Sequence, residues 1–129
     1  MVFNVELIKV LNKPSEIKDE GDTNYYMEIK PSVDLTWITA FETAYNSSKP
    51  NTWRSVKVTE TTIGISCHHN ELVKHHIPAI KRAIEAANAS CKRMHEAYEA
   101  NRQNALEKER MENQAKENIL NSINNCIKE

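Results

Sequence analysis

The chain is predicted to take an α+β fold: a four-stranded antiparallel sheet (β-β-α-β-β) covered by a long C-terminal helix that extends beyond the domain as a coiled coil. Three observations predict it. Pro14, Gly21, Pro31, Pro50, Gly64 and Pro78 are the only glycines and prolines, and all precede residue 79. The first part is therefore punctuated into short elements, whereas the rest carries the Ala, Glu, Lys, Gln and Arg content of helix. Short β-branched and aromatic runs lie between the breakers. Beyond Asn70, apolar or small residues recur in alternating steps of four and three, the period of one helix face.

Residues 2–10 alternate Phe3, Val5 and Leu7 on one face and end in Asn12, Lys13 and Pro14, which reads as the first strand. After the Gly21-Asp22 turn signal, residues 24–30 carry Tyr25, Tyr26, Met27 and Ile29 up to Pro31, the second strand. Ser32 or Asp34 can cap a short helix in which Trp37, Phe41 and Tyr45 recur at steps of four. The alternation of Val33, Leu35 and Trp37 leaves a strand open at its start. Residues 46–52 form a loop. Residues 53–59 and 61–67, rich in Val, Ile and Thr, read as a hairpin.

Asn70 is the expected N-cap of the long helix. Its stripe runs Val73, Ile77, Ile80, Ile84, Ala87, Cys91, Met94 and Tyr98, widened by His76, Ala83, Ser90 and Ala97. A face that broad suits a sheet better than a two-row seam does. Pro78 removes one backbone hydrogen bond and predicts a kink or a restart of the helix. Past Tyr98 the stripe fades through Asn101, Lys108 and Glu112, and Ile119, Leu120, Ile123, Cys126 and Ile127 form a new one. A single helix over residues 71–127 would be about 85 Å long, against roughly 30 Å for a small domain. Its apolar end is expected to be buried by another chain.

With 129 residues, 40% apolar and 27% charged, the chain can hold one modest core. We expect one domain over residues 1–98, which includes the packing helix from 71, and a helical extension for self-association over 99–129. Seventeen Lys and Arg against 18 Asp and Glu leave a net charge of −1, too weak a field to draw in nucleic acid or an anionic membrane unaided. No apolar run approaches the roughly 18 to 20 residues that span a bilayer, and residues 1–10 lack the pattern of a signal peptide. The expectation is a soluble, cytoplasmic protein without a membrane partner. Cys67, Cys91 and Cys126 are odd in number and widely spaced, so they predict reduced thiols rather than a disulfide framework.

The densest cluster of chemistry-bearing residues is Cys67, His68, His69, Asn70 and Glu71, followed by His75 and His76. Strand period would place Cys67 and His69 on one face, and the start of the helix could return His75 or His76 towards them, giving ligands for a transition metal. Against this, His76 lies on the apolar stripe, as a core histidine would. The H-x-E of His69-Asn70-Glu71 lacks the P-C-x-x-C of a zinc deaminase, and there is no H-E-x-x-H and no glycine-rich phosphate loop. No other cofactor is expected. Lys30, Arg54 and Lys57 with Tyr25, Tyr26 and Trp53 are the residue types that grip phosphates and stack on bases. The Trp37, Phe41, Tyr45 stripe reads as core rather than as a docking site.

The function expected from these features is a non-enzymatic interaction protein, an adaptor or inhibitor that acts on a protein target as a homodimer. Tyr98, Leu106, Ile119, Leu120, Ile123 and Ile127 would form the interface, with Asn101, Asn104 and Asn113 limiting register. The size and style are similar to those of small accessory proteins of phages and other mobile elements. The alternatives are a single-stranded nucleic-acid binder using Lys30, Trp53, Arg54 and Lys57, and a metal-dependent enzyme using Cys67, His69, His75 and His76.

Overall fold

Alternation along the second strand decides which face of the sheet becomes core. The computed structural model describes residues 2–48 and 55–128. Strands β1 (Glu6–Val10), β2 (Thr23–Lys30), β3 (Lys57–Val58) and β4 (Thr62–Cys67) form one antiparallel sheet in the order β1-β2-β4-β3. Along β2, Thr23, Tyr25, Met27 and Ile29 are buried, while Asn24, Tyr26 and Lys30 face solvent. On β4, Ile63, Ile65 and Cys67 point to the same core. The register pairs Tyr25 with Ile65 and Met27 with Ile63, so matching faces meet across the ladder.

The first strand is shorter than its alternation predicts. Val5, just before β1, donates its backbone N–H to Asn88 Oδ1 at 3.0 Å and accepts at its carbonyl from Asn88 Nδ2 at 2.9 Å, instead of pairing with a strand. Within β1 the register shifts between Leu7 and Lys9. That bulge changes the phase of the alternation: it follows Leu7 on the core side, leaves Lys9 exposed and brings Val10 against the core. Ahead of β2, Gly21 adopts a φ of 86°, a conformation glycine reaches without steric cost.

Helix α1 (Leu35–Ser48) starts at Asp34, whose Oδ1 accepts the Trp37 N–H at 2.9 Å. That cap selects helix over the strand also open at Val33–Trp37. The helix runs into the expected loop because Ser47 and Ser48 donate their hydroxyls back to the carbonyls of Thr43 and Ala44. Trp37, Phe41 and Tyr45 are fully buried on one face, with ring centroids 5.4 and 6.0 Å apart in succession. This is the core reading of the stripe. The β3–β4 hairpin is closed by Thr59 and Thr62, which bond through backbone and hydroxyls. The start of the predicted third strand, with Trp53 and Arg54, lies outside the described residues.

After β4 the chain enters helix α2 (His69–Glu71), a π-helical turn (Leu72–His76) and helix α3 (Ile77–Lys128). The cap is His68, whose Nδ1 accepts the Asn70 N–H at 3.1 Å, so helix begins before the Asn70 the sequence suggested. The Ile77 N–H reaches back to the Leu72 carbonyl. Pro78, which has no N–H to offer, follows directly on this wider turn, where the ordinary helical hydrogen-bond ladder is already shifted. Glu71 and Ile77 both keep right-handed helical backbone angles, so Pro78 is accommodated by a π-turn within a continuous helix rather than by a restart.

The chain divides into two units, Met1–Arg93 and Met94–Glu129. In the first, Ala79, Ile80, Ala83, Ile84, Ala87 and Cys91 of α3 join the core with the inner face of the sheet and the α1 aromatics. Burial pushes the Cys91 thiol pKa above its ordinary value, with Asp34 adding to the effect. Cys91 is thereby kept as a small apolar filler. The Tyr45 phenol is likewise raised by burial and by the neighbouring Cys67. In the second unit, residues 100–128 are helical and exposed. No helix of the described residues is long and apolar enough to cross a membrane.

Tyr25 is buried with its hydroxyl lacking a hydrogen-bond partner among the described residues. Removing a buried hydroxyl of that kind relieves a desolvation cost. Tyr25→Phe is therefore expected to raise stability by up to about 1 kcal/mol, read as an upward shift in the melting temperature.

Candidate functional site

The histidine cluster is dispersed by the way β4 ends. Cys67, the last strand residue, points into the core and is fully buried. His68 then turns to cap α2, so strand alternation no longer carries His69 to the Cys67 face. His69 Nε2 instead donates to the Asp19 carbonyl at 3.1 Å, and its ring lies 4.3 Å from that of His68. His75 is exposed, whereas His76 is buried with Nε2 3.6 Å from a Glu71 carboxylate oxygen. Among the described residues no three His, Cys, Asp or Glu side chains converge as metal ligands. Cys67, His69, His75 and His76 therefore do not form the constellation that their spacing allowed.

The proposed nucleic-acid residues divide between the two faces of the sheet. Tyr25 is on the core side. Tyr26 and Lys57 belong to the solvent face, paired through β4: Tyr26 sits opposite Gly64, and Gly64 opposite Lys57. Asn24 and Ser66 form the neighbouring pair along the same face. Lys30 lies farther along β2 and meets Glu28 at 3.7 Å. Trp53 and Arg54 lie outside the described residues. In the sequence Gly64 reads only as a breaker, although an isolated glycine within a strand often marks the close approach of another group.

The residues assigned to self-association are all exposed, from 51% for Leu106 to 77% for Ile127, with Tyr98, Ile119, Leu120 and Ile123 between. Leu106, Asn113, Leu120 and Ile127 recur every seven residues, and Ile123 falls three after Leu120. At the helical period these share one side. Glu109 and Lys116 interrupt the seam, and local pairs such as Arg110 with Glu107 at 2.7 Å and Gln114 with Asn118 at 3.2 Å run along the helix. Such solvated pairs support helix by only a few tenths of a kcal/mol each.

Asn88 was not anticipated at all. Its Oδ1 accepts both the Val5 N–H and the Trp37 indole N–H at 3.0 Å, and its Nδ2 donates to the Val5 carbonyl. One side chain of α3 thus ties the N-terminal segment to α1. The available signal was the indole of Trp37, which requires an acceptor once buried.

The fold is an α+β sandwich of one antiparallel sheet and its covering helices, an architecture that hosts many unrelated functions. Compared with protein-family models, curated proteins and solved structures, the chain matches none.

Proposed function

We propose that this chain is a non-enzymatic interaction protein, an adaptor or inhibitor that presents its α+β unit to a protein target as a homodimer joined through the C-terminal helix. The exposed seam of Leu106, Leu120, Ile123 and Ile127 carries this reading. A polar helix with one apolar stripe gains little from local pairs, whereas burying each of those side chains against a second copy is worth roughly 1.5 to 3 kcal/mol before entropy is subtracted. Asn113 on the seam favours pairing with its own counterpart in one register, at some cost in stability.

Light scattering across a range of concentrations tests the association. The expected mass is twice the 14.8 kDa of the chain. A monomer at every concentration would remove the dimer from this proposal.

A further inference from the structure

The solvent face of the sheet carries a second candidate surface, independent of the tail. Two hollows open there, and Asn24 and Tyr26 line both. The hollow between β2, β4 and β3 has a volume of about 330 Å³ and is also lined by Ser55, Lys57, Gly64 and Ser66. That volume lies at the lower end of small-ligand sites. Among the described residues that line it, Lys57 alone is charged, and it enters no ion pair with another of them. The other hollow contains Glu16 and Asp22 beside Lys18, and so is less suited to an anion.

Tyr26 supplies the flat surface. It is 50% exposed, and its ring leans over Gly64, with Cδ1 3.5 Å from where a Cβ would stand. Alanine would fit there in ordinary contact, but a longer side chain would take up the space beside the ring. Asn24 and Ser66 add a neutral amide and a hydroxyl, groups that can bond the edges of a base. An aromatic face, neutral hydrogen-bonding groups and one uncompensated cation together match a nucleobase joined to a phosphate.

We propose that this face binds single-stranded nucleic acid, one base stacking on Tyr26 and an adjoining phosphodiester meeting Lys57. A strand fits better than a free nucleotide for two reasons. One lysine balances the single charge of a phosphodiester but not the greater charge of a terminal phosphate. The hollow is also open to solvent rather than enclosed, so it does not require a ligand that ends within it. A duplex keeps its base faces stacked and has none to offer Tyr26. With the chain near neutrality, stacking dominates and salt dependence is shallow, equivalent to about one or two phosphate contacts.

Fluorescence anisotropy of the full-length protein with a labelled oligouridylate tests this, with the matching duplex and uridine 5′-monophosphate as competitors. Binding is expected to survive Tyr26→Phe and to weaken about tenfold in Tyr26→Leu. Leucine keeps an apolar cover on Gly64 without a π face, so a tyrosine that merely shields the strand would give equal affinities for the two variants. Lys57→Gln is expected to weaken binding about threefold and to lower the salt slope by about one. Circular dichroism verifies that each variant is folded, and photo-crosslinking of the wild-type protein to the oligonucleotide at Tyr26 provides a readout that needs no variant. No binding by the wild type, equal binding of duplex, equal affinity for the mononucleotide, or full affinity in folded Tyr26→Leu would each overturn the proposal.

Discussion

Replacing Leu120 and Ile123 together by Asp is expected to convert a dimer of this protein to monomers. In a two-stranded arrangement the pair of positions contributes four buried side chains, each worth roughly 1.5 to 3 kcal/mol. The substitution also sets carboxylates against one another in the seam. Even after discounting for side-chain ordering, the dissociation constant should rise by about a thousandfold or more. Light scattering would then report the mass of a single chain. Circular dichroism would report a loss of helix, because a largely polar helix without tertiary burial is marginal in water. Ser122→Asp adds the same charge at a helical position away from the seam and should leave the mass unchanged. Equal masses for the double variant and the wild type would exclude these residues from the interface.

The largest loss of stability is expected from Trp37→Ala. Trp37 is fully buried, stacks on Phe41 with ring centroids 5.4 Å apart, and donates its indole N–H to Asn88. Truncating such a residue costs about 3 to 5 kcal/mol, a large share of the roughly 5 to 15 kcal/mol that holds a domain folded. Asn88→Ala should cost about 2 to 3 kcal/mol, because it strands the Trp37 donor and both backbone groups of Val5. Trp37→Phe and Asn88→Ala should be less costly together than the sum of their separate effects, since each already breaks the shared hydrogen bond. Urea denaturation of the four proteins measures all of this. Additive losses would show that the bond contributes nothing of its own.

The regular parts of the fold were legible because burial leaves a period in the residues. The run of Tyr25, Tyr26, Met27 and Ile29 up to Pro31 marked β2, the steps of four through Trp37, Phe41 and Tyr45 marked α1, and the stripe Ile80, Ile84, Ala87 and Cys91 marked the buried face of α3. Element ends were less legible. The serines that extend α1, the His68 cap and the bulge in β1 each depend on one local bond or on a change of phase, which periodicity does not register. The candidate surfaces divided in the same way. The exposed apolar stripe from Leu106 to Ile127 follows from spacing alone, whereas the metal reading assumed that strand geometry persists to His69, and the turn at His68 ends it.

What the residues determined unaided was the sequence of elements, the α+β class and the two apolar stripes, because each arises from neighbours within a few positions along the chain. Only the tertiary structure decided which β2 tyrosine is buried and which meets solvent beside Lys57, and it alone brought Asn88 to Val5 and Trp37. Those outcomes join residues as many as 83 positions apart. Their partners are chosen by packing one element on another, and no local pattern specifies that choice.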